Sequence, residues 1–237
     1  MKPLLFPTFT LAAAFLPATL SAAEDAPWTF DLTLYGLAAG MTGDVIVKGV
    51  PADVDVGFDK IWDNLEMGVM GKVRVGRGRW AFNADVIYMG LGAAKNNVSA
   101  DVDQWVVEPS LSYRIADNFE VLAGVRYNHL GITIDGPFGL TPSGTEEWWD
   151  PIVGANFALP FAEKFSFNVR GDVGGFGIGS DLTWQAFPFL GWQISDACSV
   201  QAGYRLVYTD YDTGSGANRF KYDMLTHGPQ VGLTIRF

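Results

Sequence analysis

The chain has 237 residues, with 26 acids against 16 bases, a single cysteine (Cys198), 14% aromatics and 28 glycines. That acidic balance leaves no basic surface to displace counterions from phosphates, which excludes nucleic acid as a partner. One cysteine excludes an intramolecular disulfide and a cysteine-rich metal site, and the length suits a single domain.

The first residues point to export. Lys2 gives a short basic start, Leu4 to Leu20 is largely apolar, and Ser21-Ala22-Ala23 ends the run on small residues. This is the pattern of a signal peptide over residues 1–23, cut before Glu24, with 24–237 as the mature domain. Its removal takes Lys2 and no acid, so 15 bases face 26 acids and the formal charge moves from −10 to −11. After Ala23 no apolar run approaches the ~20 residues a spanning helix needs. A membrane location therefore requires strands.

From Trp28 onward the chain alternates with period two, which marks strands with one apolar face. Ten strands are expected, at 28–42, 65–76, 79–91, 101–115, 119–134, 148–159, 165–176, 182–194, 198–211 and 220–237; eight remain if two segments are loop hairpins. Tight turns fall at Gly76 to Arg79, Ala116 to Asn118, Pro160 to Lys164 and Ser195 to Ala197. They alternate with longer polar connections at 43–64, 92–100, 135–147 and 212–219, the brief 177–181 being the exception. Short turns at one end and longer loops at the other are the signature of a closed antiparallel transmembrane β-barrel. Such a barrel is also the only sheet that spans lipid, because closure leaves no unpaired edge.

Aromatics fit two girdles. Trp28, Trp80, Phe119, Phe165, Trp192 and Phe237 fall at the turn ends, and Tyr88, Trp105, Tyr127, Trp149, Trp184 and Tyr208 near the loop ends. Amphipathic rings favour the headgroup level, so the two bands bracket a bilayer. The competing reading is a soluble, lipocalin-like barrel with its apolar face inward. It predicts the same alternation, and the mid-strand charges weigh against it. By parity Glu66, Lys72, Arg74, Asp85, Glu108, Arg126, Asp150, Arg170, Asp172, Arg205 and Arg236 face the lumen. A barrel this narrow is filled by its own side chains, so those charges are expected to pair into a plug, or else to line a narrow pore.

The chain ends Val231, Leu233, Ile235, Phe237 at alternate positions, which looks like the C-terminal insertion signal of outer-membrane barrels. Further pieces are Asp85-Val-Ile-Tyr88, Trp149-Asp-Pro151, the stretch RGDVGGFGIGSDLTWQ from Arg170 to Gln185, Gly203-Tyr-Arg205 and Gly228-Pro229. Together they resemble a set of small proteobacterial outer-membrane barrel proteins grouped with the opacity-type barrels. The resemblance covers nearly all of the mature chain. It implies the fold and the outer membrane of a Gram-negative bacterium as location, and it implies no activity.

Three chemical options are open to the residues. The glycines of RGDVGGFGIGSDLTWQ suggest a phosphate cradle, but a phosphate loop opens a helix. Here Leu182-Thr-Trp-Gln begins another strand, so a tight outer hairpin with positive φ is expected. Gly171, Gly174 and Gly175 are also expected to let aromatic rings lie on bare backbone. The two histidines, His129 and His227, have no Ser or Asp two residues away and lack the pattern of a hydrolase base. Asp53, Asp55, Asp59 and Asp63 lack the Gly turn and terminal Glu of a calcium hand. A short helix from Phe58 is expected instead, with Phe58, Ile61, Trp62 and Leu65 packing on the barrel mouth. No catalytic, cofactor or metal residues are assigned. The expected role is structural, a small pore or surface interaction, the alternative being a barrel enzyme acting on lipid A or peptides. The expected partners are outer-membrane lipid and lipopolysaccharide, the barrel-assembly machinery during insertion, and small solutes.

Overall fold

A computed structural model describes residues 26–95, 98–135 and 143–237; the expected leader, 1–23, lies outside the described residues. The strands in chain order are β1 (Trp28–Leu37), β2 (Gly40–Val47), β3 (Val50–Val56), β4 (Leu65–Arg77), β5 (Trp80–Lys95), β6 (Val98–Ala116), β7 (Phe119–Asp135), β8 (Ser143–Ala162), β9 (Phe165–Gly175), β10 (Leu182–Ser195), β11 (Cys198–Thr213) and β12 (Phe220–Arg236), with an α-helix, α1 (Phe58–Asp63), before β4 and a 3-10 turn (Gly216–Asn218) before β12. All pairings are antiparallel, and β1 returns to β12, so the sheet closes. The cylinder has ten staves, β1 and β4 to β12, and β2–β3 is an additional hairpin carried on β12.

Each of the ten expected strands is present, most of them longer than their alternation suggested. The first differs most. β2 continues β1 along β12 without a change of register, from Leu37↔Gln230 to Gly40↔His227. The expected loop at 43–64 therefore holds most of β2, all of β3, and α1. Within α1, Ile61 is buried while Phe58 and Trp62 are exposed, so only part of the expected apolar face packs inward.

The extra length has a physical cause. Along β12, residues Phe220, Tyr222 and Met224 point inward, opposite Lys221 and Asp223. Two residues further on the polarity reverses: Thr226, Gln230 and Thr234 point inward, and Leu225, Val231 and Leu233 outward. β11 does the same, with Tyr211 inward and Asp210 outward above, Arg205 inward and Tyr204 outward below. Below the switch the wall faces hydrocarbon; above it the wall stands in water and buries its apolar face. The soluble-barrel pattern and the membrane-barrel pattern thus occur in one sheet, stacked end to end.

The upper girdle marks the switch. Tyr88↔Trp105, Tyr127↔Trp149 and Trp184↔Tyr208 are direct cross-strand partners, with ring centroids 4.4, 4.7 and 6.0 Å apart. Such facing aromatic pairs add stability beyond area burial. At the turn end Trp28, Trp80, Phe165, Trp192 and Phe237 are all exposed outward.

A belt of prolines lies between the girdles. Pro109, Pro151, Pro188 and Pro229 fall on alternate staves (β6, β8, β10, β12). A proline has no N–H for the ladder. The register of β6 with β7 stops at Val107↔Tyr127 and resumes at Ser110↔Gly124; that of β10 with β11 stops at Ala186↔Leu206 and resumes at Phe189↔Gly203. Beyond each interruption an inward glycine lets the walls approach, for a Cβ on Gly124 would meet the Pro109 carbonyl and one on Gly203 the Pro188 carbonyl.

This close approach makes Gly124 sensitive to one methyl group. Gly124→Ala is expected to cost about 1–3 kcal/mol through overpacking. Gly36→Ala, where an added Cβ meets nothing within 4 Å, is expected to be neutral. Urea titration of the liposome-inserted protein, read by heat-modifiable migration, compares them; equal midpoints for the two variants would contradict the belt.

Candidate functional site

The lumen is stratified from the turn end to the loop end. Lowest is a cavity of about 440 Å³. It starts beside the turn at Asp117–Asn118 and reaches up to Tyr35, Asp85 and Arg205. By the convention of outer-membrane barrels the turns are periplasmic, so this is a periplasmic vestibule. Lys72 and Arg74 line it from β4. Arg74 pairs with Glu120 through Nη1 at 2.9 Å and Nη2 at 2.6 Å, and Asn156 donates to Glu120 at 3.1 Å. At the rim Arg236 donates to Asp31 at 2.7 and 3.2 Å.

A buried ionic layer closes the vestibule. Arg126 Nε and Nη2 donate to Glu108 Oε2 at 2.9 and 2.7 Å, Nη2 also to Asp172 Oδ1 at 2.6 Å, and Nη1 to Thr183 Oγ1 at 2.9 Å. Arg170 Nη2 bonds the other oxygen of Glu108. Gln185 donates to Asp172 at 3.2 Å and accepts two bonds from Arg205, at 2.9 and 2.6 Å. Arg205 reaches Tyr35 Oη at 3.1 Å, and Tyr35 donates to Asp85 at 2.5 Å. Three arginines face three carboxylates, so the layer is neutral, and its members come from seven staves. Arg126 and Glu108 are 1% and 2% exposed. At such burial an unpaired charge is costly, and pairing with hydrogen bonds to each partner is the stable arrangement.

Above the ions sits Asp150, fully buried. It accepts from Asn128 Nδ2 at 3.2 Å, Trp148 Nε1 at 3.1 Å, Ser180 N at 2.6 Å and Ser180 Oγ at 2.9 Å. Ser180 belongs to the glycine-rich stretch, which forms the tight hairpin between β9 and β10: Gly175, Phe176 and Gly177 have φ of 85°, 52° and 71°. Asp150 is therefore the anchor that draws this hairpin inward. Gly174 lies against the backbone of β8 near Pro151 and Ile152, so the expected aromatic ring over this glycine is replaced by a neighbouring strand.

The uppermost layer is apolar. Val45, Leu130, Trp148, Tyr211, Phe220, Tyr222 and Met224 form one buried cluster, against which Val54 of β3 packs. Trp148 and Tyr211 stack at 4.2 Å and 10°. This cluster was not legible as a lumen filling, because the membrane-barrel pattern assigns apolar residues to the outside.

The structure brings Asp85, Glu108, Arg126, Arg170, Asp172 and Arg205 into one layer, with Asp150 above, Lys72 and Arg74 below, and Arg236 at the rim. Glu66 is apart from them, exposed at the bulge where β4 meets β5. Tyr35, Glu120, Thr183 and Gln185 join without having been singled out. Parity would have found Glu120, which is six residues before Arg126 on the same strand. The pieces Asp85-Val-Ile-Tyr88, Trp149-Asp-Pro151 and Gly203-Tyr-Arg205 all contribute to these layers.

The histidines face outward. His129 Nδ1 lies 3.1 Å from Glu147 Oε1, and His227 Nδ1 lies 2.7 Å from Tyr204 Oη. Asp53, Asp55, Asp59 and Asp63 are exposed on β3 and α1, and no group of three or more metal-capable side chains converges among the described residues.

No family model and no curated protein matches the chain. Solved structures do. The outer membrane protease OmpT from Escherichia coli aligns with a TM-score of 0.57 at 9% identity, over 90% of this chain and 98% of that one. Ail, the attachment invasion locus protein of Yersinia pestis, aligns with a TM-score of 0.45 at 13% identity, over 90% and 99%. The translocator domain of the autotransporter NalP from Neisseria meningitidis gives 0.40 at 13%, over 90% and 90%. At these identities the likeness is one of fold, and the match to OmpT carries it. With its apolar belt between two aromatic girdles, the chain has the fold and the surface of a bacterial outer-membrane β-barrel.

Proposed function

We propose that the protein is a sealed, non-catalytic barrel whose role is structural: it anchors an extended outer wall in the membrane and presents that wall for surface interaction. The observation that carries this is the stacking of two different seals. A solute entering from the periplasm meets the Glu108–Arg126–Asp172 layer, and beyond it the Trp148–Tyr211 cluster. An ion passing the first would have to displace charge-assisted bonds, and passing the second would have to shed its water. The outward placement of His129 and His227, away from the lumen, supports the non-catalytic reading. The chemistry of the wall supports lipid and lipopolysaccharide as its surroundings, and the outward-facing row Val231, Leu233, Ile235 and Phe237 supports recognition by assembly machinery during insertion. The motif pieces that converge on the lumen support a place among the opacity-type barrels.

Two measurements test this. In planar bilayers the wild-type protein is expected to give no steady conductance, whereas a double truncation of the upper seal, Trp148→Ala with Tyr211→Ala, is expected to leave the ionic layer in place and remain silent as well. Well-resolved open levels from the wild type would overturn the sealed reading. Arg126→Met is expected to lose about 3–5 kcal/mol, because Glu108 and Asp172 are left buried with half their partners. Adding Glu108→Gln to that variant should recover part of the loss in the same urea titration, and no recovery would show that Arg126 acts through packing alone.

A further inference from the structure

The wall of the barrel is split on one side. β1 and β4 pair from Trp28↔Arg77 to Leu34↔Gly71 and no further. Above that level β1 goes on pairing with β12 as far as Leu37, and β4 goes on pairing with β5 back to Leu65. The two edges no longer pair with each other over about six residues, roughly 20 Å of strand. α1 lies across this split. Its Ile61 is buried, while Phe58 and Trp62 are 40% and 63% exposed.

Behind α1 is a pocket of about 150 Å³ lined by Leu37, Ala39, Ile61, Leu65, Met70 and Met89 among others. Leu37, Ala39, Met70 and Met89 also line a smaller inner void of about 60 Å³ that reaches Tyr222 and Met224 above and the Arg126 and Arg205 side chains of the ionic layer below. Space lined on its outer side by apolar residues thus continues from the outer surface, beneath the helix, to the gap between the two seals.

The split stands at a definite height. Val69, two residues above its lower end, is the register partner of Tyr88, which pairs with Trp105 of the upper girdle. Open strand edges are not tolerated in hydrocarbon but are satisfied where headgroups and water are present. The split therefore begins where the outer leaflet's hydrocarbon gives way to headgroups, and the surface beside it, Met67 and Val69, is exposed and apolar.

We infer that this is a lateral site for one hydrocarbon chain of an outer-leaflet lipid, which enters between β1 and β4 beneath α1 and lies along Leu37, Met70 and Met89 while its headgroup stays at the open strand edges. The apolar lining selects the chain, and the girdle height selects a bilayer lipid over a solute from water. The site is entered through the wall and not along the axis, and its inner end lies between the two seals.

The test uses the full-length protein in dioleoylphosphatidylcholine vesicles containing a phosphatidylcholine with a diazirine at the end of one acyl chain. After irradiation, adducts are mapped by mass spectrometry. Adducts are expected on Leu37, Met70 and Met89, which line the lumen side of the wall, in addition to Phe58 and Trp62. Ala39→Phe, which fills the pocket, is expected to reduce the inner adducts several-fold and leave those on Trp62 unchanged. Adducts confined to Phe58, Trp62 and Met67, or inner adducts indifferent to Ala39→Phe, would overturn the inference. Should that variant fail to show heat-modifiable migration, the inner-versus-outer pattern of the wild type decides alone.

Discussion

A charge inside so narrow a cylinder has no bulk water to turn to, and the Glu108–Arg126 pair is the form that constraint takes here. With Arg126 and Glu108 1% and 2% exposed, neither ion is stable without the other. Asp172, Asp85, Arg170 and Arg205 complete a neutral set. Glu108 and Arg126 sit on neighbouring staves, but Arg205 of β11 meets Tyr35 of β1 and Asp85 of β5, so the complete layer exists only in the closed sheet.

The membrane imposes a second constraint on the same strands. In hydrocarbon a strand must turn grease outward; in water it must turn grease inward. β11 and β12 are long enough to meet both conditions and switch between them within two residues. The wall is thus a membrane barrel below and a soluble one above, and its depth in the bilayer is set by where the switch falls.

Much of this was legible from alternation alone. The ten staves, the tight turns and the strand ends that carry the aromatic girdles could be read because period two and turn residues are local signals. Parity placed Asp85, Glu108, Arg126, Arg170, Asp172 and Arg205 on the inner face. What was not legible depended on registers between distant segments. The β2–β3 hairpin lies in a stretch whose Asp, Gly and Pro content resembles a loop, and its pairing partner is nearly 180 residues away on β12. The upper cluster was hidden for a different reason: once polarity inverts, inward apolar residues such as Phe220 and Tyr222 look like lipid-facing ones. Glu66 illustrates the limit of parity, because one bulge between Leu65 and Met67 takes it out of phase with Lys72 and Arg74.

The proline interruptions have a consequence for how the cylinder bears load. At the β6–β7 seam, where backbone rungs are missing, Glu108 on one stave is tied to Arg126 on the next; at the β10–β11 seam Gln185 is tied to Arg205. Side chains substitute for absent rungs at the same height. Seen this way, the prolines create two vertical hinges and the arginines are the tie-rods across them, so lateral squeezing by the bilayer would be resisted from within by guanidinium bonds.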